Sequence, residues 1–185
     1  MRIIGGEAKG KRLHFPSGIK ERPTSDFLRE ALFNLLGPLQ NKSFLDLFSG
    51  SGSVGIEAAS RGAQEVVFIE KDKKIAAIAQ KNIVASGFID KCRMMTMDVS
   101  HGINVLFNNK CEFDVIFADP PYSQGLVGET IKNLKENPGL SKKALVVIQH
   151  SSREEFNSLL DEKIILIDQR KYSDNVLTFL KMEEQ

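Results

Sequence analysis

Short apolar runs and helix-like segments alternate along the chain from residue 43 to residue 160. The strand-like runs lie at 43–48, 65–70, 92–98, 113–119 and 144–150. The helix-like segments lie at 53–62, 73–86, 99–107, 125–136 and 152–160. Because the strand-like runs are apolar at nearly every position, both faces of their sheet should be covered. The alternation therefore predicts an α/β fold with a mostly parallel sheet and helices on both faces.

Two further strand-like runs, 163–172 and 175–182, follow toward the end of the chain. Only Ser173 and Asp174 separate them, which leaves no room for a crossover helix. Parallel strands need such a crossover, whereas antiparallel strands can be joined by a two-residue turn. We therefore expect these two runs to form an antiparallel pair.

The segment before residue 43 has a different pattern. Residues 2–15 mix short apolar runs with glycines, as in a β-hairpin or an extended arm, and 16–23 has the composition of a linker. Residues 24–26 (Thr-Ser-Asp) offer a helix N-cap and an acidic first turn, and the apolar residues of 27–36 recur at helical spacing. Gly-Pro at 37–38 should end this helix.

Basic side chains are concentrated at the N-terminus. Residues 1–23 contain six lysines and arginines against two glutamates, although the whole chain has a net charge of only +1. Such a basic segment on a near-neutral body indicates a polyanionic partner, with Lys9, Lys11 and Arg12 as candidate contacts. Charge alone is equally compatible with a solvated basic loop.

The remaining bulk features indicate a cytoplasmic protein. The two cysteines, Cys92 and Cys111, lie far apart and outside any metal-binding or redox motif, as expected for reduced thiols. No apolar run is long enough to span a bilayer. Residues 1–6 lack the layout of a signal peptide.

A glycine-rich loop follows the first strand-like run. Gly50, Gly52 and Gly55 form a G-x-G-x-x-G pattern between a strand and a helix, where glycine permits a tight turn and close approach of a ligand. Glu70 ends the next strand-like run, 20 residues after Gly50, where a carboxylate can accept hydrogen bonds from both ribose hydroxyls of a nucleoside. This pattern fits NAD and S-adenosylmethionine (SAM) alike.

Asp46, inside the first strand-like run, favours SAM over NAD. A carboxylate there would repel an anionic pyrophosphate but would suit the sulfonium and ammonium groups of SAM. The alternative is a buried acid that accepts hydrogen bonds from loop amides. Asp98, at the end of the third run, could meet the adenine or could cap the next helix. Asp72 should be only a helix N-cap, with Gly87 closing that helix.

The fourth strand-like run ends in Asp119-Pro120-Pro121-Tyr122. In a doubly wound sheet, strands one and four flank the switch point where ligands bind, so this tetrapeptide should face the glycine loop. The Asp119 carboxylate and the Pro120 carbonyl can accept both hydrogens of an exocyclic base amine, and Tyr122 can stack on the base. A rigid turn after a strand is the alternative interpretation of the tetrapeptide alone.

The expected reaction is a direct in-line methyl transfer from the sulfonium to the amine nitrogen, in which positioning supplies most of the rate gain. The amine becomes acidic as it gains the methyl group, so its proton can leave afterwards. We expect no metal, because His14, His101 and His150 have no metal-ligand spacing.

These motifs together resemble class I SAM-dependent methyltransferases that act on amino groups. The resemblance extends further, because residues 2–6 (RIIGG), 9–10 (KG), 22–24 (RPT) and 29–34 (REALFN), with the tetrapeptide 119–122, are similar to the RsmD family. Members of that family are bacterial 16S ribosomal RNA guanine-N2 methyltransferases. The resemblance covers nearly the whole chain.

The resemblance implies a seven-stranded Rossmann-like sheet with an antiparallel last strand, preceded by an N-terminal β-hairpin and a helix. It divides the chain into a basic arm, 1–23, and a methyltransferase domain, 24–185. With the residues singled out above, the expected cofactor contacts are Asp46, Phe48, Ser49, Gly50, Ser51, Gly52, Glu70, Lys71, Asp98, Val99 and Asp119. The expected catalytic residues are Asp119, Pro120, Pro121 and Tyr122. The expected substrate contacts are Lys9, Lys11, Arg12, Arg22, Thr24 and Tyr122.

The partner implied by the family is 16S rRNA within a small-subunit ribosomal particle, bound by a monomeric enzyme without a metal or a membrane. Three alternatives stay open from the residues. One is the same chemistry on adenine N6 or cytosine N4, although the chain has no sizeable target-recognition domain. The second is an NAD-dependent oxidoreductase, and the third is a non-catalytic RNA-binding module.

Overall fold

The computed structural model describes residues 1–15, 25–122, 125–141, 143–154, 156–159 and 162–182. The chain divides into two compact units, Met1–Asp98 and Val99–Gln185. The linker expected at 16–23 and the cap residue Thr24 therefore lie outside the described residues.

The first unit alternates helices and parallel strands. Its elements are α1 (Asp26–Leu36), β1 (Ser43–Leu47), α2 (Ser53–Ser60), β2 (Glu65–Ile69), α3 (Lys73–Ser86) and β3 (Cys92–Met95). Ser25 caps α1 and Gly37 ends it. Asp72 caps α3 through the amides of residues 74 and 75, and Gly87 ends that helix in the left-handed conformation. Asp72 and Gly87 therefore begin and end α3 as predicted from the sequence.

The second unit contains both parallel and antiparallel strands. Its elements are α4 (Val99–Asn108), β4 (Val115–Ala118), α5 (Leu126–Glu136), α6 (Pro138–Ser141), β5 (Leu145–Ser151), a 3-10 helix (Phe156–Leu159), β6 (Ile164–Tyr172) and β7 (Asn175–Met182). β4 pairs with β5 in parallel, while β7 is antiparallel to both β5 and β6. The antiparallel final pair is therefore confirmed.

The seven strands have the order β3-β2-β1-β4-β5-β7-β6. The order proceeds in one direction from β1 to β3 and in the other direction from β4 onward, which is the doubly wound arrangement. β1, β2 and β4 are almost wholly buried, as expected for parallel strands covered on both faces. The predicted Rossmann-like α/β fold is confirmed.

Two local predictions were wrong. β3 ends at Met95, not at Asp98, because its partner β2 ends at Ile69, the residue that pairs with Met95. The segment 152–160 was expected to be a full helix, but its described residues form a turn followed by the 3-10 helix. There the Ser151 carbonyl and hydroxyl oxygens accept hydrogen bonds from the amides of Glu154 and Arg153, and these local bonds compete with a regular helix.

The N-terminal residues 2–15 form a single antiparallel bridge, between Arg2 and Arg12, and not a regular two-stranded ladder. Ile3, Ala8 and Leu13 are buried. The segment therefore packs through a few small and apolar side chains, while its charged side chains are exposed.

Candidate active site

The loop after β1 has an unusual backbone. Phe48 has φ +61°, Gly50 +55° and Gly52 +82°, so three of five consecutive residues are left-handed. The turn is closed by hydrogen bonds from Ser49 N–H to the Ile69 carbonyl, 2.9 Å, and from Gly52 N–H to the Ser49 carbonyl, 2.8 Å. A left-handed Phe48 costs about 1–2 kcal/mol. The surrounding β-sheet therefore holds this loop in a shape that a free chain would avoid.

The third glycine of the pattern is required for packing. A Cβ added at Gly55 would lie 2.3 Å from Cε1 of Phe68, which is wholly buried in β2. At Gly50, by contrast, an added Cβ would meet no atom within 4 Å. Gly55 thus brings α2 against the sheet, while Gly50 leaves open space beside the loop, as a ligand cradle needs.

Asp46 is 1% exposed, and its Oδ2 accepts a hydrogen bond of 2.8 Å from Gly55 N–H. The carboxylate therefore ties the first turn of α2 to β1, which is the structural role that the sequence left open for it. A negative charge at this helix N-terminus is also favourable to the helix dipole. A contact between Asp46 and the cofactor stays a prediction.

Glu70 directly follows β2 and is bonded to the glycine loop. Its Oε2 accepts Gly50 N–H at 3.0 Å and its Oε1 accepts Asp72 N–H at 2.8 Å. An ionised carboxylate has about four acceptor positions, so each oxygen can take a further donor. The half-buried carboxylate is thus held in a fixed orientation beside the loop, and this suits its predicted ribose role. Lys71, the next residue, is exposed.

Ser49 provides a test of whether the loop suits a polar cofactor. Its hydroxyl oxygen is buried and has no hydrogen-bond partner among the described residues. A buried hydroxyl without a partner costs about 1–3 kcal/mol, which a bound ligand can recover. Ser51 is also buried, with its carbonyl accepting a hydrogen bond from Asn82 Nδ2 at 2.9 Å. The loop, the unsatisfied hydroxyl and the Glu70 carboxylate together fit a nucleoside cofactor such as SAM.

Asp98 and Val99 do not lie on a strand, in contrast to the expectation for Asp98. Asp98 is exposed and directly precedes α4, whose first residue is the buried Val99. This location matches the helix-cap alternative.

The tetrapeptide follows β4, which ends at Ala118. Asp119 is half-buried, Pro120 is buried, and the Tyr122 side chain is 41% exposed. Partial burial, and to a lesser extent the Asp119 and Glu154 carboxylates, raise the pKa of Tyr122 above its usual value. The tyrosine is therefore a neutral hydroxyl at physiological pH, with a ring face accessible from solvent.

The predicted substrate residues of the N-terminal segment have different environments. Lys9 and Arg12 are exposed. Lys11 is exposed too, but its Nζ donates a hydrogen bond of 3.1 Å to the carbonyl of Ser86, the last residue of α3, where a cation is favourable. Arg22 and Thr24 lie outside the described residues.

Buried polar side chains of α2 and α3 hold the backbone of this segment. Glu57 accepts the amides of Ile4 and Gly5 at 2.8 and 2.7 Å. Asn82 exchanges two hydrogen bonds with the backbone of His14 and also binds the Ser51 carbonyl. The N-terminal segment and the glycine loop are therefore connected through one amide side chain.

Arg29 is a further residue without a predicted role. It is 0% exposed, forms an ion pair of 2.6 Å with Asp26, and donates to the carbonyls of Arg2 at 2.9 Å and Ser53 at 3.5 Å. It thus joins α1 to the N-terminal segment and to the start of α2. In the sequence, the only sign that Arg29, Glu57 and Asn82 are buried is that each is a charged or amide residue among apolar positions of a helix.

Among the described residues, no group of three or more His, Cys, Asp or Glu side chains could hold a metal ion. His150 is buried, stacks on Phe156 and binds the Thr178 hydroxyl at 2.8 Å, as a packing residue would. No helix in the described part of the chain is long and apolar enough to cross a membrane.

Comparison with known proteins agrees with this geometry. The family described as "Conserved hypothetical protein 95" matches residues 1–181. The chain is 36% identical over 150 residues to ribosomal RNA small subunit methyltransferase D of Escherichia coli K12, which covers 80% of the chain and 74% of that protein. It is 38% identical to the protein of the same name from Haemophilus influenzae, covering 80% and 78%.

Among solved structures, a putative methyltransferase, yhhF, from Escherichia coli superimposes with a TM-score of 0.83 at 29% identity, covering 100% of the chain and 99% of that protein. The family match and this superposition thus extend over nearly the whole chain. The chain belongs to the ribosomal RNA small subunit methyltransferase D family.

Proposed function

We propose that this protein transfers a methyl group from SAM to the exocyclic N2 amine of a guanine in 16S rRNA of the small ribosomal subunit. The observation that carries the proposal is the Asp119-Pro120-Pro121-Tyr122 sequence at the carboxyl end of β4, in a chain whose β1 and β2 end in a glycine loop and Glu70. Relatives named ribosomal RNA small subunit methyltransferase D supply the substrate class. Membership of that family decides against the NAD-dependent alternative.

Bound SAM would supply an electrophilic methyl group on a positively charged sulfur. The loop from Phe48 to Gly52 would surround the cofactor with backbone amides, and Ser49 Oγ would find its missing partner there. The Glu70 carboxylate, already oriented by Gly50 N–H, would accept the ribose hydroxyls. Asp46, Lys71, Asp98, Val99 and Asp119 complete the proposed cofactor set.

The chemical task of the tetrapeptide is to prepare a poor nucleophile. The lone pair of a guanine amine is delocalised into the ring, and acceptors for both N–H groups favour a pyramidal nitrogen. The Asp119 carboxylate accepts a hydrogen bond from one amine N–H, and the Pro120 carbonyl accepts a hydrogen bond from the other. Proline has no amide N–H to compete for these acceptors, and it keeps Asp119 extended. The Tyr122 ring stacks on the target base, which is worth about 1–3 kcal/mol.

Pyramidalisation orients the lone pair, and the proton leaves once the nitrogen has gained its fourth substituent. The Asp119 carboxylate is the proposed acceptor for that proton. Positioning and electrostatics, not prior deprotonation, then account for the rate.

The RNA is proposed to contact the exposed Lys9 and Arg12, together with Lys11, Arg22 and Thr24. We further propose that the substrate is an assembled small-subunit particle, that the enzyme acts as a monomer, and that it is located in the cytoplasm. The basic N-terminal segment supports a polyanionic surface as partner.

The proposal is tested by incubating the protein with methyl-tritiated SAM and, in parallel, small subunits, naked 16S rRNA and DNA, followed by nucleoside analysis. We expect label in N2-methylguanosine from the particle. Asp119→Ala should abolish transfer while SAM binding, measured by calorimetry, largely survives. Label in N6-methyladenine or N4-methylcytosine would assign the related amine chemistry instead, and full activity of Asp119→Ala would remove the amine-acceptor role.

A further inference from the structure

The Tyr122 hydroxyl lies in a chain of side-chain hydrogen bonds that crosses the end of the antiparallel part of the sheet. Tyr122 Oη donates to Asn175 Oδ1 at 2.5 Å, and Gln149 Nε2 donates to Tyr122 Oη at 3.4 Å. Gln149 lies on β5, and Asn175 is the first residue of β7. All three residues belong to the second unit.

The backbone fixes both amides. Ala118, the last residue of β4, pairs with Ile148, so Gln149 is the next residue along β5 just as Asp119 follows β4. Asn175 pairs with Ser151 of β5 and with Tyr172 of β6, at the closed end of the β6–β7 hairpin. A side chain at either position therefore has little freedom to follow a moving tyrosine.

Gln149 is an unusual choice for a buried position. It is 4% exposed, and its Oε1 has no partner among the described residues. A buried amide with an unsatisfied oxygen costs about 1–3 kcal/mol relative to an apolar side chain of similar shape. Its one side-chain hydrogen bond in the described part of the chain is the one to Tyr122. The Gln149 amide therefore lowers the stability of the core, but it donates a hydrogen bond to Tyr122.

We propose that Gln149 and Asn175 are positioning residues that clamp the Tyr122 ring in the orientation that stacks on the target base. This inference rests on the proposed function, because it assigns Tyr122 as the base-stacking residue. The clamp acts before the substrate arrives: it removes rotational freedom from the ring and so lowers the entropic cost of stacking. Neither amide needs to touch the base.

Spectroscopy tests the clamp independently of methylation. The chain has two tyrosines and no tryptophan, so in a Tyr172→Phe background the phenolate absorbance reports Tyr122 alone. Gln149 donates to the phenol oxygen and stabilises its ionised form, whereas Asn175 accepts from the hydroxyl and stabilises the neutral form. Gln149→Leu should therefore raise the Tyr122 pKa, and Asn175→Ala should lower it. Shifts in the same direction, or none, would overturn the proposal.

Kinetics then test whether the clamp acts through the hydroxyl. Asn175→Ala and Gln149→Leu should each reduce kcat/KM by about tenfold, as the loss of one hydrogen bond predicts. Tyr122→Phe removes both bonds and should reduce kcat/KM by at least as much. In the Tyr122→Phe background the two amide substitutions should cause no further loss. A full additional tenfold loss there would show that they act elsewhere.

A stability measurement separates this role from a purely structural one. Gln149→Leu should leave the free energy of unfolding unchanged or raised, because it removes a buried unsatisfied oxygen, and yet lower activity. A glutamine control is Gln169→Leu, since the exposed Gln169 donates its amide hydrogen bond to the Thr178 hydroxyl and not to Tyr122. That control should keep full activity. Parallel loss of stability and activity in Gln149→Leu would contradict the clamp.

If no substrate is methylated by the unmodified protein, the proposed function fails, while the opposite pKa shifts would still establish the hydrogen-bond chain. If methylation occurs, but the amide substitutions reduce kcat/KM as much in the Tyr122→Phe background as in the unmodified protein, the proposed function stands and the clamp fails.

Discussion

At the scale of single residues, Glu70 combines a structural and a ligand-binding role. Its two oxygens hold the Gly50 and Asp72 amides, and each has capacity for a ribose hydroxyl. We expect Glu70→Ala to weaken SAM binding by about tenfold or more, because charge-assisted hydrogen bonds are worth about 1.5–3 kcal/mol. Isothermal calorimetry measures this, with the exposed Glu65→Ala at the start of β2 as control. An unchanged affinity would remove the ribose role.

Gly55 allows a sharp test of packing at the same scale. Gly55 and Gly128 both lie inside helices, α2 and α5, but an added Cβ would meet the Phe68 ring at 2.3 Å in the first case and the flexible end of Leu159 at 3.2 Å in the second. Gly55→Ala should destabilise the fold by about 1–3 kcal/mol. Gly128→Ala should be neutral or stabilising, because alanine favours a helix by about 1 kcal/mol. Urea unfolding of both variants gives the comparison, and equal effects would contradict this packing account.

At the scale of elements, a buried carboxylate of α2 is one of the groups that hold the N-terminal segment. Glu57 is 0% exposed and binds the Ile4 and Gly5 amides as well as Arg61 Nε. Glu57→Ala leaves these donors without their acceptor and should cost about 3–5 kcal/mol. Hydrogen exchange should show faster exchange at Ile4 and Gly5, while protection in α3 persists. Retained protection of those two amides would mean that the other contacts of the segment, such as those of Ser60 and Asn82, are enough to hold it.

The same elements explain which parts of the fold could be predicted from sequence. The bounds of α3 were predicted correctly because Asp72 and Gly87 encode its ends locally, and β7 because a short turn precedes it. The docking of the N-terminal segment was not predictable, since Glu57 and Ile4 are 53 residues apart and no local pattern pairs them. The segment 152–160 has helical composition, but hydrogen bonds around Ser151 determine its conformation.

The motif residues of the candidate site could be found from sequence because the glycine loop, Glu70 and the tetrapeptide each follow a strand at a fixed place. Their supporting residues could not. Gln149 appears in the sequence as a polar residue near the end of an apolar run, and only the sheet register brings it beside Tyr122. Arg29 likewise acquires a role only when α1 packs on the start of α2.

At the scale of the whole molecule, a net charge of +1 coexists with a strongly basic N-terminal segment. Attraction to RNA should therefore arise locally and not from the overall charge. Because Lys9 and Arg12 are exposed on a segment whose backbone is anchored, their charges are displayed on a fixed surface. A displayed cation can displace counterions from RNA on binding, and each such contact adds to the salt dependence of affinity.

The double variant Lys9→Gln, Arg12→Gln should consequently weaken binding to small subunits and flatten its salt dependence. Two lost phosphate contacts lower the slope of log K against log salt by about 1.4–1.8. Filter binding at several salt concentrations measures the slope, and the double variant Lys74→Gln, Lys81→Gln, at exposed positions of α3, is the charge-matched control. SAM affinity should stay constant throughout, since neither side chain belongs to the proposed cofactor set. If the slope is unchanged while affinity falls, the two cations support the segment's conformation and the RNA is bound by another surface.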